Sequence, residues 1–102
     1  MLENLVFLEL KRRDKEIYYH NQKKECDFVV KEKSKIVEAI QVSWSIESES
    51  TYNRELAGLL DAVNTYGLKE GLILTESMER EVEVEVEGVR VRVKPVWKWM
   101  LE

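Results

Sequence analysis

Cysteine, proline and histidine are nearly missing from this chain, with one of each in 102 residues. A lone Cys26 cannot close an internal disulfide. With only His20 beside it, no zinc site forms without further ligands. Nowhere is there an apolar run approaching the roughly 20 residues that span a bilayer. The start of the chain lacks a charged segment followed by an apolar run and a small-residue cleavage site. A soluble protein in the reducing cytoplasm, without a membrane partner, is the expectation. Also missing are a GxxxxGK[ST] phosphate loop, so no nucleotide site is expected, and any serine in a nucleophile elbow.

Charge is abundant by contrast. Charged residues make up 35% of the chain, dominated by Glu and Lys, and only two residues are Gln. Such a balance points to a thermophilic source, although the single proline does not add to it. The net charge of −4 argues against a surface that is basic all round. Yet residues 1–36 hold nine Lys/Arg against seven Asp/Glu, whereas residues 37–102 hold seven against thirteen. A patch built from Lys11, Arg12, Arg13, Lys23, Lys24, Lys31, Lys33 and Lys35 would attract the phosphates of nucleic acid. The competing and commoner account is a scatter of solvated lysines.

Length and patterning predict a single domain over residues 1–102, near the lower limit for a core without disulfides or metals. Leu2, Leu5, Val6, Phe7 and Leu10 recur at helical spacing ahead of Lys11-Arg12-Arg13, so residues 2–13 read as a helix with cations at its C-terminal end. Three segments rich in β-branched and aromatic residues, 16–20, 26–30 and 36–42, are separated by short polar connections and read as an antiparallel meander. Tyr52, Leu56, Leu59, Leu60, Val63 and Tyr66 trace one face of a second helix over 51–66, ended by Gly67. Leu72-Ile73-Leu74-Thr75 reads as a buried strand.

From Glu81 to Lys94 valines and charges alternate on either side of Glu87-Gly88. A two-residue turn there sets Val86 against Val89, Glu85 against Arg90, Glu83 against Arg92 and Glu81 against Lys94. A slip of one residue would place charge against valine, so the hairpin specifies its own register. After Pro95, Val96 to Leu101 form a short terminal helix. Its Trp97 and Trp99 need cover, from the domain's own core, from a partner or from a second copy in a homodimer.

An α+β mixed sheet in the order helix, three strands, helix, strand resembles the core of the restriction-endonuclease-like, PD-(D/E)XK superfamily. The residues that carry the likeness are Glu3, Asp27 and Gln41-Val42-Ser43. Along nearly its whole length the chain is also similar to the C-terminal domain of unknown function that follows the ATPase module in archaeal and bacterial AAA-type ATPases. The matching stretches are LENLVFLEL, EIYYHN, ECDFVV, IQVSWSI, NRELAGLLDAV, EGLILT and VKPVWKWML.

That resemblance implies a site in which Glu3, Asp27 and the position of Gln41 hold Mg²⁺ or Mn²⁺, while Asp27, Gln41 and Ser43 stand where the catalytic residues would be. An active relative would carry an acid at 41 and a lysine at 43. A glutamine oxygen ligates a hard cation without adding negative charge, and a serine supplies no positive charge, so the implied chemistry is weakened. Lys31, of the same strand parity as Asp27, and Arg54 are the candidates for a replacement cation. The leading expectation is a nuclease-fold module of weak or absent activity that binds nucleic acid or docks an ATPase. An active metal-dependent endonuclease and a homo-oligomerising structural domain are the alternatives.

Overall fold

The strands that pattern and turn chemistry predict all pair into one sheet. The structure, a computed structural model, describes residues 2–102. In chain order the elements are α1 (Leu2–Arg12), β1 (Glu16–Asn21), β2 (Glu25–Glu32), β3 (Lys35–Ser43), α2 (Glu49–Tyr66), β4 (Glu70–Thr75), β5 (Val82–Val86), β6 (Val89–Pro95) and α3 (Val96–Met100). The six-stranded sheet runs β1-β2-β3-β4-β6-β5. β1, β2 and β3 form the antiparallel meander. β3 is joined through α2 to its parallel neighbour β4, the crossover that parallel pairing needs. β6 lies parallel to β4, and β5 folds back outside it. No helix among the described residues is long and apolar enough to cross a membrane.

Helices cover both faces, and the core is accordingly double. Against α2 pack Cys26, Val29, Ala39, Ile73, Val91 and Val93 with Leu59, Ala62 and Val63. On the opposite face α1 and α3 bury Val6, Leu10, Val96 and Trp99 against Phe28, Val30, Ile40 and Leu74. Each such aliphatic side chain contributes roughly 1.5–3 kcal/mol when fully buried. β4 sits between both layers, which explains its unbroken apolar run. Gly71 is small for a packing reason, because a Cβ there would come within 2.7 Å of Leu59 Cγ.

Local signals hold at the element ends. Ser48 caps α2 by accepting from the Thr51 N–H, and Gly67 closes it in the left-handed region at φ 68°. The β5–β6 turn has φ 52° at Glu87 and 81° at Gly88, as a type I′ hairpin requires. Val86↔Val89, Glu85↔Arg90 and Glu83↔Arg92 are paired as expected. Glu81 precedes the strand, and its carboxylate lies 3.9 Å from Lys94 and 2.9 Å from Arg92. The two terminal tryptophans divide: Trp99 is buried in the chain's own core, with the Arg13 guanidinium 4.5 Å above its ring, whereas Trp97 is 52% exposed.

Candidate functional site

Asp27 stands where strand geometry is broken twice. Between Tyr18↔Val29 and His20↔Cys26 the β1–β2 register shifts, leaving Asp27 and Phe28 opposite Tyr19 alone. A bulge of this kind re-aims a side chain and is a common device beside functional sites. On the other edge of β2, pairing with β3 ends at Phe28↔Ile40, although β3 continues alongside β4 to Ser43↔Thr75. β2 and β3 therefore part at Asp27 and Gln41, the two positions that the nuclease resemblance singles out.

Reciprocal side-chain bonds fill the gap. The Asp27 N–H donates to Gln41 Oε1 at 2.8 Å, and the Val42 N–H donates to Asp27 Oδ2 at 2.8 Å. Gln41 Nε2 then donates to the carbonyls of Glu25 and Glu55, each at 3.0 Å. One buried amide thus ties β2, β3 and α2 together, with both its donors and its oxygen engaged. α2 can come this close only because residue 58 is glycine, since a Cβ there would overlap the Glu25 carbonyl and the Gln41 amide. A charged acid at position 41 could not donate to those carbonyls.

Asp27 lines a cleft of about 300 Å³ with Asn21, Lys23, Lys24, Glu25, Gln41, Arg54 and Glu55. It also borders a second concavity, on the α1 side, with Glu3, Phe7, Tyr18 and Tyr19. Burial pushes its carboxyl up to about 6, opposed by the Val42 N–H and reinforced by the charges of Glu3, Glu55 and Glu25. Glu55 is likewise raised by burial, with its Arg54 contact pulling the other way and Glu3 adding to the rise. The Tyr19 hydroxyl donates to Glu25 and is pushed up to about 12 by that bond.

Glu3 and Asp27 line one concavity, and Asp27 and Gln41 line the cleft beside it. The glutamine oxygen is taken by the Asp27 N–H, and among the described residues no three His, Cys, Asp or Glu side chains converge on a point that would hold a metal. Ser43, the third expected position, donates its hydroxyl to the Ser45 carbonyl at 3.0 Å. Arg54 reaches the Asp27 cleft, whereas the ammonium of Lys31 lies 5.9 Å over the Tyr18 ring. The bulge at Asp27 and Phe28 interrupts the alternation that gave Lys31 the same strand parity as Asp27.

The basic residues of the first third fall in two groups, with Lys15 just after α1 reaching Glu32 at the far end of β2 at 3.5 Å. Arg12 and Arg13 both bond Glu9, which is itself buried. Lys23 and Lys24 lie in the turn before β2, while Lys33 and Lys35 lie at its far end. At about 3.3 Å per residue, the eight residues of β2 separate the two lysine pairs by roughly 25 Å.

Sequence reasoning missed two features. Glu55 turns inward on α2, three residues after Tyr52 and four before Leu59, and that spacing was its available signal. His20 is buried on β1 and bonds Asp61 Oδ2 at 2.9 Å and the Tyr66 hydroxyl at 3.0 Å, both on α2. Cys26 is sealed in the core, its thiol pushed up to about 12 by burial, which keeps it an unreactive packing group.

Comparison with curated proteins finds no match. Residues 1–98 match the family described as "Domain of unknown function (DUF4143)", and with nearly its whole length covered the chain belongs to that family.

Proposed function

We propose that this protein is a nuclease-fold module without effective catalysis, which acts by docking a protein partner and is associated with an AAA-type ATPase. The observation that carries this is the Gln41 amide. At the position where a restriction-endonuclease-like site requires a second acid, the side chain is hydrogen-bonded to three backbone groups on two elements. It holds the opened strands together, and its oxygen accepts from the Asp27 N–H. Ser43, where a lysine would stand, is bonded to its own loop.

The order of helix, three-strand meander, helix and strand supports the superfamily likeness, as does the parting of β2 and β3 at Asp27. The likeness to the domain that follows AAA-type ATPases supports the choice of partner. Protein docking is favoured over nucleic acid because the net charge is −4 and because the lysines occupy opposite ends of β2. Scattered cations neutralise few adjacent phosphates.

The second reading, an active Mg²⁺- or Mn²⁺-dependent endonuclease, has one observation in its favour. Asp27 is raised first by burial and then by the charges of Glu3 and Glu55, an acidic surrounding that a divalent cation would relieve. Incubating the protein and its Asp27→Ala variant with branched, single-stranded and duplex DNA in Mg²⁺ and Mn²⁺ separates the two. No cleavage that depends on Asp27 is the expected outcome. Metal-dependent cleavage that vanishes in Asp27→Ala would establish the endonuclease instead.

A further inference from the structure

At the sheet edge away from β1, β5 carries an interaction surface of its own. It is the last strand of the sheet. Among the described residues, no backbone hydrogen bond beyond its ladder with β6 reaches Val82–Val86. In a hairpin closed by a two-residue turn, the flanking pair Val86↔Val89 exchanges both of its hydrogen bonds. The pairs alternate from there, so Val84 and Val82 also bond inward to Val91 and Val93. Glu83 and Glu85 must then direct their N–H and C=O groups outward, where nothing receives them.

Side chains extend the same pattern. Val91 and Val93 on β6 are 0% and 3% exposed, but their cross-strand partners Val84 and Val82 are 37% and 40% exposed. The valine stripe thus continues one strand past its cover. On the opposite face the edge is acidic. Glu83 is shared with Arg90 at 3.3 Å, and Glu85 and Glu87 have no ion pair among the described residues. Natural edges are commonly blunted by charge, proline or an inward-pointing ion, and on β5 the charge is all acidic, from Glu83 and Glu85.

We infer that the outer edge of β5 docks an extended partner segment in which Val- or Ile-like residues alternate with Lys or Arg. Such a strand would bond the outward groups of Glu83 and Glu85, cover Val82 and Val84, and set its cations beside the glutamates. β6, with its Val-Arg-Val-Arg-Val-Lys sequence, already meets these demands on the inner side. A second copy is a poor occupant, because β5 against β5 brings two glutamate rows together, and like charges opposite one another destabilise a ladder. The edge lies across the sheet from Asp27, and its role does not depend on whether the chain is a nuclease.

Its test is an anisotropy titration of the full chain with a labelled Val-Arg-Val-Arg-Val-Lys peptide and with a counterpart carrying Glu at each basic position. Amide exchange is followed in parallel. The basic peptide is expected to bind about tenfold more tightly than the acidic one. It should slow exchange at Glu83 and Glu85 while leaving the already bonded Val84 amide unchanged. Glu85→Lys should abolish or reverse that preference. Glu85→Pro removes an outward N–H without touching the ladder, and should eliminate strand addition while the thermal melt stays close to that of the parent. Equal binding of the two peptides, binding without protection at Glu83 and Glu85, or binding that survives Glu85→Pro would overturn the inference. So would a dimer in sedimentation that Glu85→Pro disperses, because the occupant would then be a second copy.

Discussion

Glu9 and Asp27 are both drawn away from solvent, and their surroundings push them in opposite directions. Glu9, on α1, receives Arg12 at 2.6 Å and Arg13 at 2.7 Å, and these bonds hold its carboxyl down at about 2. Arg13 continues to the Trp99 carbonyl at 2.8 Å, so this acid fastens α1 to α3. Asp27 has one backbone N–H for compensation and three acids for neighbours, and stands at about 6. One acid is satisfied inside the chain and serves the fold. The other is kept half-buried, with only the Val42 N–H to offset its charge, at a bulge where two strands part. The contrast separates an acid explained by packing from one that packing does not explain, and Gln41 is what holds the surroundings of that acid in their present form.

The sharpest way to break the comparison is to remove the amide that bridges the Asp27 gap. Gln41→Leu leaves the Asp27 N–H and the Glu25 carbonyl without partners in a buried setting, and is expected to cost roughly 3 kcal/mol in denaturant unfolding. A loss under about 0.5 kcal/mol would mean that the amide is dispensable. Gly58→Ala attacks the same junction from α2. By forcing the helix off the Glu25 carbonyl it should cost about 2 kcal/mol, read from the same curves.

The two acids themselves predict opposite pH behaviour. With a folded value of about 6 against an ordinary 3.8, ionised Asp27 penalises the folded state at neutral pH. The penalty fades as pH falls through 6 toward 4. Asp27→Asn should therefore be the more stable protein at pH 7, by on the order of 1 kcal/mol after allowing for the carboxyl's solvent contact, and should lose that advantage near pH 4. Glu9, at about 2 against 4.5, has the reverse sign: its contribution is complete above 4.5 and is lost as pH falls toward 2. Melts of Glu9→Gln should show a deficit at pH 7 that shrinks below pH 4.5. Parallel pH profiles for the two variants would remove the contrast. Ser43→Ala, which deletes one local hydrogen bond, should change stability by about 0.5 kcal/mol or less.

Much of the fold was legible because its determinants are local. The alternation on either side of Glu87-Gly88 specified a ladder that is found pair for pair from Val86↔Val89 to Glu83↔Arg92. Gly67 marked the end of α2, and the run after Gly71 marked a strand covered on both faces. The site was legible as positions but not as geometry. A period of two cannot reveal a bulge, so it could not show that the alternation from Asp27 to Lys31 is interrupted. Nor can a single strand show that Gln41 reaches across to Glu25 and Glu55, since that depends on α2 passing close at Gly58. The His20–Asp61–Tyr66 network joins residues 41 and 46 positions apart, beyond the reach of spacing rules. Trp97 and Trp99 fall two residues apart on a helix, and the structure buries only the second.

The most direct test of an amide-locked, non-catalytic site is a calorimetric titration of Mn²⁺ and Mg²⁺ into the protein and into Asp27→Ala. The account predicts no saturable heat that depends on Asp27 with either ion. Stoichiometric binding by the parent that disappears in Asp27→Ala would contradict it, and would show that Glu3, Asp27 and a displaced Gln41 still assemble around a metal.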